Sequence, residues 1–331
     1  MVEISFGQAL FLALGGLVLG IIMLVRGGDW TVESAVYLAE RLGMSHLVIG
    51  FTIIAFGTSL PELIVGVNAN LKGSPGIALG NVLGSNIANI LLVCGAAALV
   101  APIVVMSKGI TRTTLAMVLI TFIFVGLTLY GEITRLTGSA MILLLLGYIY
   151  YEYRMVKKGE FVPEEIEEPT FSSKLMAVLF LVFGLIVVTL GAEFMVDSAQ
   201  LVASMIGIPE AVIALTVIAF GTSLPELSTC LVAMAKRHGD IVLGNLIGSN
   251  VFNILMIIGA TAIAKPIYQS GFTDQIVNFD IWVTLGVTLI FASLILFYKK
   301  INKAIGIIFV TSYVLYIFGI YGFYLIDKMQ G

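Results

Sequence analysis

The sequence predicts an all-α membrane protein of ten transmembrane helices, arranged as two inverted-topology repeats of five. Three observations predict it. First, 59% of the 331 residues are hydrophobic and 11% charged, with a mean hydropathy of +1.08. A soluble domain carries about 25% charged residues, so this chain must turn most of its surface to lipid. Second, apolar runs long enough to span a bilayer recur along the whole chain. Third, the string IAFGTSLPEL stands at 54–63 and again at 218–227.

A span needs roughly 20 apolar residues. Ten runs qualify, near 6–26, 46–71, 76–101, 110–130, 134–153, 175–195, 209–235, 241–264, 279–298 and 304–326. Asp29 to Leu42 after the first, and Asp197 to Ile206 after the sixth, are amphipathic extensions. The start, MVEISFGQAL, lacks the basic residues and small-residue cleavage site of a signal peptide and is taken as part of the first span. The long polar stretch is Arg154 to Lys174, with five glutamates between Glu160 and Glu168 and two prolines, Pro163 and Pro169. Its composition suits a solvated linker, which divides the chain into 1–153, 154–174 and 175–331.

The repeat extends beyond the ten identical residues. GNVLGSNIANI at 80–90 matches GNLIGSNVFNI at 244–254 with the same offset of 164, and Trp30/Phe194 and Gly43/Gly207 keep it. Five spans per half is an odd number, so the second copy enters the membrane from the opposite side. Inverted repeats of this kind are common in secondary transporters, with the site at the midplane where they meet.

Basic residues set the orientation. With the N-terminus outside, thirteen lysines and arginines fall on the inner side: Arg26, Arg41, Lys108, Arg112, Arg154, Lys157, Lys158, Lys174, Lys236, Arg237, Lys299, Lys300 and Lys303. Four fall outside: Lys72, Arg135, Lys265 and Lys328. The positive-inside rule then places both termini outside the cell membrane and residues 154–174 in the cytoplasm.

Glu62 and Glu226 are the acidic residues that lie well inside the spans. A charge at the bilayer centre costs at least ~2.5 kcal/mol, so such residues are functional candidates. A structural carboxylate would need a basic partner at that depth, and the sequence offers none. Each glutamate follows a proline. Pro61 and Pro225 give no N–H to the carbonyls of Gly57 and Gly221, so each span should break at GTSLP and free carbonyl oxygens. Carboxylates and carbonyls are the ligands of hard cations, Ca²⁺ above all.

Thr58 and Ser59, with Thr222 and Ser223, precede the glutamates by four and three residues, on the same helical face. In the following spans Asn81, Ser85 and Asn89, and Asn245, Ser249 and Asn253, form polar stripes at spacing four. Ser85, Asn89, Ser249 and Asn253 are expected to line the site. Asn81, Asn86, Asn245 and Asn250 are expected to make backbone and helix–helix hydrogen bonds. The pairs Gly80/Gly84 and Gly244/Gly248 are GxxxG motifs that suit close helix packing.

GTSLPEL and GNxxGSNxxN, once per half, resemble the alpha repeats of the cation/Ca²⁺ antiporter superfamily, and in particular its prokaryotic sodium/calcium exchangers. The resemblance covers the whole chain. It implies a Ca²⁺ site made by Glu62, Glu226 and the carbonyls of Thr58 and Thr222. It also implies two flanking Na⁺ sites. One is formed by the Ala55 carbonyl, Ser59, Ser85 and Glu226, the other by the Ala219 carbonyl, Ser223, Ser249 and Glu62, with Asn89 and Asn253 between them. K⁺-dependent relatives carry Asp where this chain has Asn253, which argues against K⁺ co-transport. Proton/calcium relatives lack the Thr-Ser-Leu-Pro run, which favours Na⁺ as the driving ion over H⁺. No large regulatory domain interrupts the chain.

The expected activity is alternating-access exchange of Ca²⁺ for Na⁺. Two glutamates balance one Ca²⁺, so exchange for more than two Na⁺ would be electrogenic. The alternatives are an H⁺/Ca²⁺ exchanger and a cation channel, although two isolated carboxylates in inverted repeats fit an occluded site better than a continuous pore. An intramembrane enzyme is disfavoured, since His46 and His238 lie near span ends without an HExxH motif. Cys94 and Cys230 have no CxxC spacing and read as core residues. No basic run points to nucleic acid. The expected partners are the bilayer and the transported Ca²⁺ and Na⁺, with no cofactor and one chain as the functional unit.

Overall fold

The computed structural model describes residues 6–106, 109–157, 171–205 and 219–330. Helices dominate. In chain order they are α1 (Phe6–Leu42), α2 (His46–Thr58), α3 (Leu60–Leu71), α4 (Pro75–Val100), α5 (Ile110–Tyr130), α6 (Arg135–Lys157), α7 (Lys174–Met205), α8 (Ala219–Thr222), α9 (Leu224–Ala235), α10 (Gly239–Ala264), α11 (Ile276–Tyr298) and α12 (Lys303–Gln330). Among the described residues α1, α4, α5, α7, α10 and α11 are each long and apolar enough to cross a membrane alone, and α2 with α3 makes a bent seventh candidate. The amphipathic stretches after the first and sixth runs prolong α1 to Leu42 and α7 to Met205 without a break. The first part of the run at 209–235 and most of the acidic linker lie outside the described residues.

Burial sorts the helices into a centre and a coat. The most apolar window of α10 is 100% buried and that of α4 78%, against 17% in α1 and 33% in α7. Leu136, Phe297 and Phe11, all more than three-quarters exposed, belong to an outer surface that suits lipid and not water.

Small residues set the closest approaches. Gly244 and Gly248 of α10 lie against the backbone of α2, so that a Cβ at either would collide with the carbonyl of Leu47 or Phe51. This is the packing expected of that GxxxG pair. Among the described residues nothing comes within 4 Å of a Cβ placed on Gly80 or Gly84. In α1 and α7, Gly20 and Gly27 face Gly191 and Gly184. A Cβ on Gly20 would stand 2.8 Å from the Gly191 carbonyl, and one on Gly27 would stand 2.9 Å from that of Gly184. The four glycines are mates at the offset of 164, so the two helices touch through equivalent surfaces.

Four two-residue strands tie the loops together. Strand β1 (Ile103–Val104) pairs antiparallel with β4 (Lys300–Ile301), and β2 (Glu132–Ile133) with β3 (Ile267–Tyr268). Each ribbon joins a loop of the first half to a loop of the second. Gly131, at φ 91°, takes the left-handed turn that ends α5 and enters β2.

Two further carboxylates are buried, at the ends of the runs at 134–153 and 279–298. Glu152 of α6 is 1% exposed, and Arg112 of α5 meets it through Nε at 3.2 Å and NH2 at 2.7 Å. Asp280 in α11 is 3% exposed and accepts from the Tyr316 hydroxyl and the Gln275 amide, each at 3.1 Å. Both are fully partnered, as buried polar groups usually are. His46 and His238, distant in sequence, meet edge to face with ring centroids 5.3 Å apart. Among the described residues no three metal-binding side chains gather. Both cysteines are free and buried.

Candidate functional site

The GTSLP break forms in both halves. Between α2 and α3 the axis turns by 44°. Ser59 sits at the corner with φ −85° and ψ 2°, and Ser223 between α8 and α9 with φ −89° and ψ 2°. Both take the bridge conformation common at active sites. Pro61 and Pro225 occupy the first turn of the helix that follows, where a missing N–H does no harm. The Ala55 carbonyl accepts from the Ser59 N–H at 3.1 Å and the Thr58 hydroxyl at 3.4 Å. The Leu63 N–H bridges the break to Ser59 at 3.1 Å. Pro61, four residues on, has no N–H to offer the Gly57 carbonyl. Ala219, the counterpart of Ala55, is helical in α8 on the other side.

Glu62 and Glu226 therefore lie in the first turns of α3 and α9, where the helix N-terminus favours negative charge. Each is 1% exposed. They are near enough to act on one another electrostatically. Thr58, Ser59 and Ser249 lie near the Glu226 carboxylate, so both halves contribute to one cluster, while the Ser249 hydroxyl itself donates to Oδ1 of Asn245 at 3.4 Å. Thr222 lies at the matching break, in the wall of a cavity described below.

The polar stripes of α4 and α10 run alongside. Ser85 is 3% exposed, Ser249 0%, Asn89 1% and Asn253 0%. Asn89 and Asn253 each open a π-helical turn, Asn89–Val93 and Asn253–Ile258, in the two most buried helices. Such turns insert a residue into the ladder and cluster at functional sites. No periodicity in the sequence signalled them.

The remaining asparagines do structural work. Asn81 donates to the Glu62 carbonyl at 3.4 Å and Asn86 to the Asn250 carbonyl at 3.4 Å. Asn250 donates to Leu246 at 2.7 Å, and Asn245 to the Thr229 hydroxyl at 3.3 Å. These are the backbone and helix–helix bonds expected of them.

The cluster differs from the other buried carboxylates in what it lacks. Oε2 of Glu62, both carboxylate oxygens of Glu226, the hydroxyls of Ser59 and Ser223, both amide atoms of Asn89 and Oδ1 of Asn253 are buried with no hydrogen-bond partner in the protein. Oδ1 of Asn250 joins them, an oxygen that the sequence reading placed among the structural amides. A buried polar group without a partner costs about 1–3 kcal/mol, more if charged. So many in one place, nearly all oxygens, are a set of donors for a hard cation.

A cavity of about 650 Å³ lies between α2/α3 and α7, beside the two breaks. Gly57, Pro61, Gly221, Thr222 and Pro225 line one part of it, and Glu193 and Asp197 another. Its wall is otherwise mostly apolar.

Comparison with known proteins places these features in context. The profile of the family described as sodium/calcium exchanger protein matches residues 12–154 and 176–322. An uncharacterized membrane protein of Methanocaldococcus jannaschii is 36% identical over 92% of this chain and 97% of its own. Sodium/calcium exchanger MaX1 of Methanosarcina acetivorans is 29% identical over 91% of this chain and 96% of its own. A solved structure of the sodium-calcium exchanger NCX_Mj, soaked with Na⁺ and Sr²⁺, superposes with a TM-score of 0.79 at 34% identity, covering 92% of this chain and 97% of that one.

Proposed function

The chain belongs to the sodium/calcium exchanger protein family, a membrane cation/Ca²⁺ antiporter and not an enzyme, and on that premise we propose that it exchanges Ca²⁺ for Na⁺ by alternating access, electrogenically and without K⁺. The supporting observation is the cluster of unpartnered buried oxygens around Glu62 and Glu226. Ca²⁺ takes six to eight oxygens at about 2.3–2.6 Å. Here Glu62, Glu226 and the carbonyls of Thr58 and Thr222 hold it, and the two carboxylates balance its charge.

Na⁺ uses the oxygens on either side. One Na⁺ set is the Ala55 carbonyl, Ser59, Ser85 and Glu226. The other is the Ala219 carbonyl, Ser223, Ser249 and Glu62. Because Glu62 and Glu226 serve both ions, Ca²⁺ and Na⁺ exclude each other, which is the requirement for exchange over co-transport. The proximity of Ser249 to Glu226 supports a cluster in which the sets share members.

The architecture we propose is ten spans in two inverted repeats of five. Its support is the single offset that relates the two broken helices, the π turns opened by Asn89 and Asn253 and the glycine contacts of α1 with α7. The exchange of partners between ribbons, β1 with β4 and β3 with β2, is the pattern a pseudo-two-fold axis in the membrane plane would give. The chain spans the cell membrane with both termini outside and residues 154–174 inside, and a single chain is the transporting unit.

Equilibrium binding tests the site. Na⁺ should displace ⁴⁵Ca²⁺ from the purified protein competitively, and Glu62→Gln should abolish Ca²⁺ binding. Ca²⁺ that stays bound at saturating Na⁺ would contradict the shared site.

A further inference from the structure

Helix α1 carries Asp29 and Glu33 on one face, and α7 carries Glu193 and Asp197 at the same offset of 164. The lysines that follow α3 and α9, Lys72 and Lys236, are mates at that offset as well. The structure uses one set and not the other. Nζ of Lys236 meets Oδ1 of Asp29 at 3.1 Å and Oε1 of Glu33 at 2.5 Å. Burial pulls the pKa of this ammonium down, the Glu33 and Asp29 carboxylates pull it up, and the net direction is up. The same junction is sealed by Ser228, which donates to the Leu24 carbonyl at 2.6 Å.

At the other junction Glu193 and Asp197 are exposed and line the cavity. Lys72 is exposed too, and among the described residues no ion pair joins it to them. Ile64, the mate of Ser228, is 61% exposed and lines the same cavity. One junction is shut and its counterpart is open.

We propose that the two sets are alternating charge latches: Lys236 on Asp29 and Glu33 closes one face while the cavity opens the other, and Lys72 on Glu193 and Asp197 closes the second face when the first opens. The inference rests on the alternating-access reading. The glycine contacts between α1 and α7 let the pair shift as a unit, breaking one latch as the other forms. Each released acidic couple then lines the open mouth and draws cations toward the site. Each latch sets one lysine against two carboxylates, so neither face is held by charge far more tightly than the other, and the Ser228 hydroxyl, which Ile64 lacks, adds a bond to the first alone.

The test is thiol accessibility of the cavity in the full chain, in lipid nanodiscs, with Thr189→Cys in a background of Cys94→Ala and Cys230→Ala. Thr189 lines the cavity and belongs to neither latch nor ion site. Its labelling by a small cationic methanethiosulfonate should slow about fivefold on adding Lys236→Gln, the scale of a partly exposed ion-pair network. Lys72→Gln should leave the rate unchanged or raise it, and exchanging charges with Lys236→Glu plus Glu33→Lys should restore it. An unchanged rate in Lys236→Gln, an equal fall in Lys72→Gln, or a fall that the charge exchange does not restore would overturn the latch. The readout needs no flux. Failure of the unsubstituted protein to exchange Ca²⁺ for Na⁺ counts against the functional reading, and an unresponsive label counts against the latch alone.

Discussion

Asn253 donates from Nδ2 to Oδ1 of Asn86 over 3.0 Å, a bond between the two copies of one motif. It fixes the amide of Asn253 and leaves its Oδ1 buried without a protein partner. That atom is a neutral oxygen, and an aspartate here would add the charge needed to offset another cation and lose the donor to Asn86. Exchange should therefore proceed at full rate in K⁺-free medium. An absolute K⁺ requirement in proteoliposomes would show that residue 253 does not decide ion dependence.

Oε2 of Glu62 and both carboxylate oxygens of Glu226 have no hydrogen bond within the protein, so replacing either glutamate should abolish transport while sparing the fold. Glu62→Gln or Glu226→Gln should reduce Ca²⁺ flux by at least about a hundredfold, the scale of losing a charged ligand at about 3 kcal/mol. Each variant should elute as the parent does on size exclusion. Parental flux in a well-folded variant would remove that glutamate from the site.

Arg112 and Glu152 should show the opposite. Arg112→Ala would strand a carboxylate that is 1% exposed and otherwise held by a two-point contact. Removing one partner of a buried pair costs about 3–5 kcal/mol. Thermal unfolding in detergent should fall well below the parent. A Tm unchanged by Arg112→Ala would mean that the pair is not structural.

These contrasts mark what could be read in the sequence. The broken spans, the paired glutamates and the hydroxyls before them were legible because a proline acts locally and because helical spacing is fixed. The structural roles of Asn81, Asn86, Asn245 and Asn250 were legible for the same reason. The partners of Glu152 and Asp280 were not, since Arg112 and Tyr316 lie 40 and 36 residues away and only packing brings them close. The π turns at Asn89 and Asn253 depend on how α4 and α10 fit their neighbours, and nothing in their periodicity records it. The unpartnered oxygen of Asn250 escaped because spacing fixes a face, not which atom of an amide is used.

Residues 154–174 should lie in the cytoplasm, as the bias of thirteen basic residues against four requires. Glu165→Cys, in a chain with Cys94 and Cys230 replaced, should resist an impermeant maleimide in intact cells and react after lysis. Labelling in intact cells would reverse the orientation.

Gradient-driven ⁴⁵Ca²⁺ uptake into proteoliposomes tests the central claim most directly. Protons need only the two carboxylates, whereas Na⁺ needs the surrounding hydroxyl and carbonyl oxygens that this site supplies. Vesicles loaded with Na⁺ at equal pH on both sides should take up Ca²⁺, and Na⁺-free vesicles under a pH gradient should not. Ser85→Ala or Ser249→Ala should weaken the Na⁺ dependence more than the Ca²⁺ affinity. Uptake driven only by the pH gradient would contradict the account and make the protein a proton/calcium exchanger.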